Sequence, residues 1–325
     1  MEILIEKWLD NSKMGAFERC PREFLLRYIL HLDKKTEKGQ VALAFGKAFH
    51  YGCEIYFQNI PHDDRQQVLQ TAISKATEQL QQTLSELASI GSEEIYSDPR
   101  ADIDFLARTL SYFFTSGAGK ELSDMTLEAK PEVHMEWEHE DTGWKLVGKA
   151  DLILQTLSKS TIVIDFKTTR WTIKTQWGTK AQTDTQLSTY CLLAKTTGLV
   201  NNIDAVAYAV IRADRRQLKN GQWSPSITLE SDFFPVAITQ DHLDRALFRF
   251  IRIVNSVDTS DLENPEPKSF PPVFSSCQRL GGNCKFFPLC ELTWKSEDIE
   301  EIREVALRLD YKEDRWHPFE QEEQD

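Results

Sequence analysis

The sequence predicts an α/β fold with a buried β-sheet, and three observations favour it. Residues 148–170 read as two strands joined by a polar turn, because short β-branched apolar runs are bounded by turn residues. Segments with helical periodicity, 41–58 and 66–90, precede these strands. Later apolar runs over 203–211 and 226–238 again have strand character. Strands and helices therefore both contribute to one core.

Composition and charge bound the class of protein. The 325 residues suffice for one large domain or two ordinary ones, and no apolar run is long enough to span a membrane. The net charge of −13 argues against broad nonspecific nucleic-acid binding but allows a local basic groove, because acids concentrate over 297–304 and 312–325. The N-terminal segment has no signal-peptide pattern, so we expect a cytoplasmic protein whose six cysteines are metal ligands or buried thiols.

Residues 14–30 predict a helix entry followed by an amphipathic helix. Pro21 suits a first helical turn, and apolar residues recur at helical spacing after it. Cys20 precedes this proline, where a thiolate would face free backbone N–H groups. The alternative for Cys20 is a small buried residue.

Residues 41–58 predict a second helix, which carries His50. A lone histidine is most often a core or surface residue, so His50 matters only if it faces the acids. Residues 61–116 have helical character, and 116–120 faintly resemble a phosphate loop. That loop lacks the first glycine and the final Ser or Thr of the pattern, which excludes an NTPase motor.

An acidic row follows, in which Glu132, His134, Glu136 and Glu138 alternate with apolar residues. This alternation predicts an edge or half-exposed strand. Such a row is most often a solvated face, but Glu132 or Glu136 is a candidate to join a metal site.

The two strands of residues 148–170 each carry a carboxylate beside an apolar run. Side chains alternate along a strand, so Asp165 and Lys167 share one face and Phe166 lies on the other. If the strands pair, Asp151 comes close to Asp165. Two nearby carboxylates repel each other, which favours a hard cation such as Mg²⁺ or Mn²⁺ between them.

Residues 168–185 mix cations with flat aromatic side chains, a combination that suits single-stranded nucleic acid. The candidate contacts are Arg170, Trp171, Lys174, Trp177 and Lys180. The alternative is an ordinary exposed loop whose tryptophans cover the core. A helix over 186–195 follows, with Gln186 and Tyr190 on one face. The basic connection 212–221 is either a second nucleic-acid contact or a solvated hairpin tip.

Three cysteines, Cys277, Cys284 and Cys290, lie in one short loop punctuated by Gly and Pro. This spacing predicts a metal site, and Cys20 is the best candidate for the fourth ligand. Zinc and iron–sulfur clusters both accept four thiolates. The remaining cysteines are read as core residues: Cys53 and Cys191.

In order, the motifs His50, Gly148–Asp151, Asp165–Lys167 and Gln186-x-x-x-Tyr190 resemble the PD-(D/E)XK nuclease superfamily, in its RecB-like branch. With the four cysteines added, the chain looks like the iron–sulfur exonucleases, namely CRISPR-associated RecB-like nucleases and AddB-type nuclease domains. The resemblance implies a central mixed β-sheet flanked by helices, as in a restriction-endonuclease-like core. It also implies a 4Fe–4S cluster that joins the N- and C-terminal segments.

The domain organisation implied by the resemblance is one nuclease domain over residues 1–295. A helical insertion occupies about 60–130, the cluster-binding segments are about 14–30 and 274–292, and an acidic helix and tail follow over 296–325.

The resemblance also assigns roles. Asp151, Asp165, the main-chain carbonyl of Phe166 and a nitrogen of His50 would hold Mn²⁺ or Mg²⁺, and the nitrogen favours Mn²⁺. Lys167 would position or help to deprotonate the attacking water. The last two assigned residues would orient the lysine or hold DNA phosphates: Gln186 and Tyr190.

The expected function is a metal-dependent DNA exonuclease that prefers single strands or ends. The alternative is a nuclease-fold module that binds DNA ends, or recruits a protein partner through the helical insertion, without cleaving. A zinc-stabilised interaction protein is a third and more distant reading.

Overall fold

The computed structural model describes residues 7–34, 39–60, 64–173, 176–220, 222–257, 265–279 and 282–314. The chain divides into two compact units, each assembled from separated parts of the sequence. The smaller unit comprises residues 1–37, 136–148 and 244–325, and the larger comprises 38–135 and 149–243. The expectation of one nuclease domain over residues 1–295 stays a prediction.

Strands and helices alternate along the chain. The strands are β1 (Trp8–Leu9), β2 (Leu32–Lys34), β3 (Thr126–His139), β4 (Trp144–Thr156), β5 (Thr161–Thr169), β6 (Ala205–Gln217), β7 (Trp223–Ala237), β8 (Gln278–Arg279), β9 (Gly282–Asn283) and β10 (Tyr311–Glu313). The helices are α1 (Asn11–Arg19), α2 (Pro21–Phe24), α3 (Gln40–Asn59), α4 (Arg65–Ser89), α5 (Glu94–Ser97), α6 (Ile103–Ser116), α7 (Ala118–Met125), α8 (Gln176–Thr183), α9 (Thr185–Thr196), α10 (Gln240–Ser256), α11 (Phe287–Thr293) and α12 (Ile299–Arg308).

The larger unit contains most of a mixed sheet with the strand order β4-β5-β6-β7, and β3 pairs with β4. Strand β5 is antiparallel to β4 but parallel to β6, and β7 returns antiparallel to β6. A parallel pair needs a crossover connection, which α8 and α9 supply between β5 and β6. The predicted mixed sheet with flanking helices is confirmed.

The core of the larger unit forms where α3 and α6 cover one face of this sheet and α4 packs against these two helices. Alternate residues of the strands point into it, as a two-residue side-chain period requires. They are Leu152, Leu154, Ile162, Ile164, Phe166, Ala207, Ala209 and Ile211. The ring of Phe57 stacks on that of Phe166 with centroids 6.0 Å apart. At Gly52 an added Cβ would lie 2.9 Å from the side chain of Leu110, so glycine allows α3 and α6 to approach closely.

The predicted helical insertion is part of this core. Val68, Ala72 and Leu80 of α4 are buried in it, as are Phe105 and Phe113 of α6. In the described part of the chain, the contacts of these helices give no support to the expected protein partner. None of the described helices is both long and apolar enough to cross a membrane.

Two predicted segments differ from the structure in detail. Residues 14–30 form α1 and α2 with a break at Cys20, followed by a π-helical turn, because Pro21 starts a new helix at its first position. An ordinary exposed loop is one of the two alternatives that the sequence offers for residues 168–185, yet α8 lies within them. Its Trp177 packs edge-on against Tyr208 with centroids 5.6 Å apart, a tertiary contact that overrides the weak helix propensity of the segment.

The smaller unit ties segments from both ends of the chain together. The guanidinium of Arg249 on α10 bonds Glu18 and Asn11, near the N-terminus. The ammonium of Lys285 lies 2.6 Å from a carboxylate oxygen of Asp33. Most of the acidic segment 296–325 is described, and α12 and β10 lie in it, while residues 315–325 are outside the described part.

Candidate active site and four-cysteine site

The two predicted carboxylates lie where β4 and β5 stop pairing. The ladder between these strands ends at Leu152 and Ile164, and Asp151 and Asp165 are the next residues in that register. Beyond the ladder, Asp151 Oδ2 accepts a hydrogen bond of 2.7 Å from the backbone N–H of Phe166. A side chain thus takes the place of the strand partner of that N–H. Both acids lie inside their strands, at the point where the ladder between β4 and β5 ends.

Asp165 is 1% exposed and forms an ion pair with Lys167, whose Nζ lies 2.5 Å from Asp165 Oδ2. That oxygen has no hydrogen bond of regular geometry within the described residues. Burial, together with the negative charge of Asp151, raises the pKa of Asp165 to about 7. Burial lowers the pKa of Lys167, but the charges of Asp165 and Asp151 outweigh it and raise that pKa. A buried carboxylate of this kind is suited to accept a divalent cation in place of its proton.

His50 faces the acids, so it belongs to the candidate site rather than to the core or the surface alone. It projects from α3 with Nδ1 3.4 Å from Asp151 Oδ2, and its side chain is 29% exposed. Burial lowers the pKa of His50, but the charge and hydrogen bond of Asp151 outweigh it, so the pKa is raised. Burial raises the pKa of Asp151, but His50, Lys167 and the Phe166 N–H hold it below its usual value.

Glu132 joins this group. One ligand atom each from His50, Glu132 and Asp151 lie within 4.8 Å of one another. Glu132 has a left-handed backbone with φ +48° in the middle of β3, and its carboxylate lies 2.5 Å from Lys149 Nζ. Burial and the charge of Asp151 raise the pKa of Glu132. Of the two acids left open by the sequence, Glu132 is therefore the one near the site, because Glu136 pairs with Lys145.

The helix that carries Gln186 and Tyr190 is fastened to the sheet beside Asp165. Gln186 Nε2 donates a 2.6 Å hydrogen bond to the hydroxyl of Tyr190. Asp184 caps α9 by accepting from the N–H of Gln186, and its other oxygen accepts a 2.5 Å bond from Tyr208. Tyr208 is the partner of Asp165 in the parallel ladder. Asp184 and Tyr208 were missed by sequence reasoning, although an aspartate before a helix is an N-cap signal.

The candidate nucleic-acid contacts differ in how exposed their side chains are and in whether another side chain already contacts them. Trp171 is 83% exposed, whereas Trp177 packs on Tyr208 and is half-buried. The ammonium of Lys180 lies 4.6 Å from the Trp177 ring centre and 5.4 Å from that of Tyr208. The remaining two candidates are Arg170, which pairs with Asp214, and Lys174, which lies outside the described residues.

The four predicted cysteine ligands line one small cavity of the smaller unit. Cys20 lies at the break between α1 and α2, and its Sγ accepts a 3.3 Å hydrogen bond from the N–H of Val273. The N–H of Cys284 donates to the carbonyl of Cys277 at 2.7 Å, which folds the late loop back on itself. Burial raises the pKa of the Cys290 thiol to about 12, while the Arg22 guanidinium opposes that shift.

The distance between cysteine sulfurs differs between a site for one zinc ion and a site for an iron–sulfur cluster. In the part of the chain that the structure describes, no three of the sulfurs lie within 4.8 Å of one another. Four thiolates around one zinc ion at about 2.3 Å stand roughly 3.8 Å apart. In a 4Fe–4S cluster each thiolate binds a different iron, so the sulfurs are further apart. Four cysteine sulfurs around one cavity are a donor set that zinc and a 4Fe–4S cluster both accept. Cys53 and Cys191 are fully buried core residues, as predicted.

A mixed sheet that carries acids and a lysine where its ladder between β4 and β5 stops, with a histidine facing them from α3, defines an α/β protein with a site suited to a divalent cation. The chain belongs to the PD-(D/E)XK nuclease superfamily, whose family model matches residues 11–291. Nucleases of this superfamily use divalent metals. No curated protein matches the chain. Solved structures do match, among them one titled "Crystal structure of SSO0001". It is 18% identical over 54% of this chain and 70% of its own, with a TM-score of 0.26.

The raised pKa of Asp165 predicts that metal binding depends on pH. Mn²⁺ needs the carboxylate, and below about pH 7 it must displace the proton that burial and Asp151 hold there. We expect Mn²⁺ affinity to rise by about tenfold or more per pH unit below pH 7, because His50, whose pKa is also raised, must lose its proton as well as Asp165, and to rise less steeply above it. Calorimetry in two buffers of different ionisation enthalpy counts the released protons. An affinity that is constant between pH 5.5 and 7 would contradict this expectation.

Glu132 has two features that can be tested separately: the strain of its left-handed backbone and the contribution of its carboxylate to metal binding. Glu132→Gly and Glu132→Ala both remove the carboxylate and should weaken Mn²⁺ binding. The glycine variant should be more stable than the alanine variant by about 1 kcal/mol, because glycine adopts φ +48° without strain. Glu136→Ala is the matched control and should bind Mn²⁺ as the native chain does. If urea denaturation gives Glu132→Gly and Glu132→Ala the same free energy of unfolding, the backbone at position 132 is not strained.

Proposed function

We propose that this chain is a divalent-metal-dependent exonuclease that hydrolyses phosphodiester bonds in single-stranded DNA or at DNA ends, and that it carries a structural 4Fe–4S cluster. The observation that supports catalysis most is that two pairs, Asp151 with His50 and Asp165 with Lys167, lie at neighbouring positions where the β4–β5 ladder stops. A module that only binds DNA has no need to keep these costly buried charges together.

The residues present fit a divalent cation. Asp165 Oδ2 is a buried acceptor without a regular hydrogen bond in the described part, and Asp151, Glu132 and His50 offer further ligand atoms. Oxygen ligands with one imidazole nitrogen suit Mn²⁺. The Phe166 carbonyl remains a proposed ligand. When bound, the ion polarises the phosphate and lowers the pKa of a bound water.

The chain's own residues then divide the remaining work. The ammonium of Lys167 is held at the site by Asp165, where it can orient the attacking water and offset negative charge on the phosphate. Tyr208 is the ladder partner of Asp165 on β6, and its hydroxyl donates a hydrogen bond to Asp184. Asp184 in turn caps the helix that carries Gln186 and Tyr190. This connection keeps the Gln186–Tyr190 pair at a constant position, from which it can contact a DNA phosphate.

The direct test is degradation of end-labelled single-stranded and blunt duplex DNA with Mn²⁺ or Mg²⁺. The native chain should shorten the single strand progressively, and Asp165→Ala should not. If the native chain binds DNA but cleaves neither substrate with either metal, the binding-module alternative holds instead.

Lys180 is the candidate for holding the DNA backbone near the site. The ammonium groups of Lys180 and Lys167 both lie near the Tyr208 ring. When Lys167 faces the phosphate that reacts, Lys180 can therefore pair with a neighbouring phosphate of the same strand. In an Asp165→Ala background, Lys180→Ala should weaken single-stranded DNA binding and reduce the log–log salt slope by about 0.7. Lys75→Ala on α4 is the control and should change neither. If Lys180→Ala and Lys75→Ala lose the same amount of DNA affinity, Lys180 does not contact the DNA.

A further inference from the structure

We propose that Trp171 is a stacking platform for one unpaired base of the bound DNA strand, and that it favours single strands over duplex at this site. The inference rests on the proposed function, but its test measures DNA binding rather than cleavage.

Trp171 follows directly on the strand that carries Lys167. Strand β5 ends at Thr169, and Trp171 is the second residue after it. Each extended residue spans no more than about 3.6 Å, so the Cα atoms of Lys167 and Trp171 are at most about 14 Å apart. A DNA strand whose reacting phosphate lies at Lys167 therefore has a base within reach of the indole.

The backbone beside Trp171 is fastened, whereas the indole is uncovered. The Trp171 N–H donates a 3.1 Å hydrogen bond to Thr169 Oγ1, and the carbonyl of Arg170 accepts a 3.2 Å bond from Arg212 Nε on β6. Trp171 is 83% exposed, and within the described residues no other ring or cation packs on its indole. A base can stack there without displacing a side chain and without first ordering the backbone.

Exposure by itself does not identify a binding residue. Tyr96 on α5 is 84% exposed and follows no strand of the sheet. Trp171 differs from Tyr96 because its backbone is held at the end of the strand that carries Lys167. The two residues are therefore a matched pair for experiment.

The charges beside Trp171 balance one another. Arg170 pairs with Asp214 at 3.3 Å. Arg212 pairs with Glu230 at 2.8 Å and lies 3.5 Å from Asp214. Two cations and two acids attract a phosphate only weakly, so stacking must supply the affinity here. Stacking on an aromatic side chain accepts any base but needs a free base face, which a base inside a duplex does not offer.

The test measures DNA affinity by fluorescence anisotropy in the Asp165→Ala background, without metal and over a range of salt concentrations. Trp171→Ala removes the ring, Trp171→Phe keeps a smaller ring, and Tyr96→Ala is the control of equal exposure. The ligands are a single-stranded oligonucleotide, a series of the same oligonucleotide with one abasic position each, and closed circular duplex DNA.

We expect Trp171→Ala to bind the single strand about 5- to 150-fold more weakly, which is the effect of losing one stacked base. Trp171→Phe should bind with intermediate affinity. The log–log salt slope should not change, because stacking releases no counterions, whereas Lys180→Ala should reduce it. Affinity for the circular duplex should stay the same, and Tyr96→Ala should match its parent protein.

The abasic series identifies the partner of the ring. One abasic position should weaken binding by the protein that retains Trp171 and have no further effect in Trp171→Ala, because base and ring act as a pair. If every abasic position weakens both proteins equally, or if Tyr96→Ala loses as much affinity as Trp171→Ala, the proposal is wrong. An equal loss of affinity for single strand and duplex would also overturn it.

This inference and the proposed nuclease can fail separately. If Trp171→Ala binds as its parent does while the native chain cleaves single-stranded DNA, the stacking platform is excluded and the nuclease stands. If the native chain cleaves no DNA with either metal but Trp171→Ala loses affinity at one base position, the platform stands and the nuclease is excluded.

Discussion

Replacing Lys167 with methionine is expected to lower Mn²⁺-dependent DNA cleavage by about 10²–10³-fold, the usual effect of losing one preorganised charge at a reacting centre. Methionine keeps the length of the chain and removes the ammonium that lies 2.5 Å from Asp165 Oδ2. Mn²⁺ should still bind at pH 8, because the metal-facing groups remain and a competing cation is gone. Single-turnover rates and calorimetric Mn²⁺ affinities, taken on the same preparation, separate the two effects.

Lys149→Met is the matched control for this prediction. Lys149 lies near the same site and is about as exposed as Lys167, with side-chain values of 33% and 29%. It pairs with Glu132 rather than with Asp165, so its loss should reduce cleavage far less. Equal rate losses in both variants, or a Lys167→Met variant as active as the native chain, would refute the role of Lys167.

Cys284→Ala is expected to yield a colourless protein that is less stable by about 5 kcal/mol. The cluster would close a loop of 277 − 20 = 257 positions between Cys20 and Cys277, and in the chain-entropy description such a long loop is worth that much. Absorbance near the iron–sulfur band and denaturant unfolding in anaerobic buffer measure both effects. Loss of one ligand should release the whole cluster, because metal binding and folding are coupled in such sites.

Cys191→Ala serves as the control for that variant. Cys191 is fully buried in the core of the larger unit and does not line the cavity of the four candidate ligands. Its replacement should keep the brown colour and cost only about 1 kcal/mol. A Cys284→Ala protein that stays brown and as stable as the native chain would contradict the proposed cluster.

The parts of the site that the sequence could predict are those set by local patterns. Short apolar runs beside Asp151 and Asp165 predicted two strands that carry one acid each, and in the structure each acid lies inside its strand, where the ladder between β4 and β5 stops. A long amphipathic pattern predicted the helix of His50, which extends over α3. Period and length identify such elements because burial of one face is a local requirement.

The parts that could not be predicted depend on tertiary contacts. The alternation around Glu132 is that of a regular strand, and nothing local signals its left-handed backbone. The residues over 176–183 are weak helix formers, and the packing of Trp177 on Tyr208 becomes evident only once β6 is placed. Each of the two units is likewise assembled from segments far apart in sequence. The periodicity of a segment does not indicate which distant segments it packs against.

The most direct test is anomalous diffraction from crystals soaked in Mn²⁺, with data collected above the manganese edge and below the iron edge. We predict one strong peak in coordination contact with His50, Asp151 and Asp165, and its disappearance in Asp165→Ala crystals. A protein that cleaves DNA with Mn²⁺ but shows its manganese peak elsewhere, or none at these residues, would contradict the proposed active site.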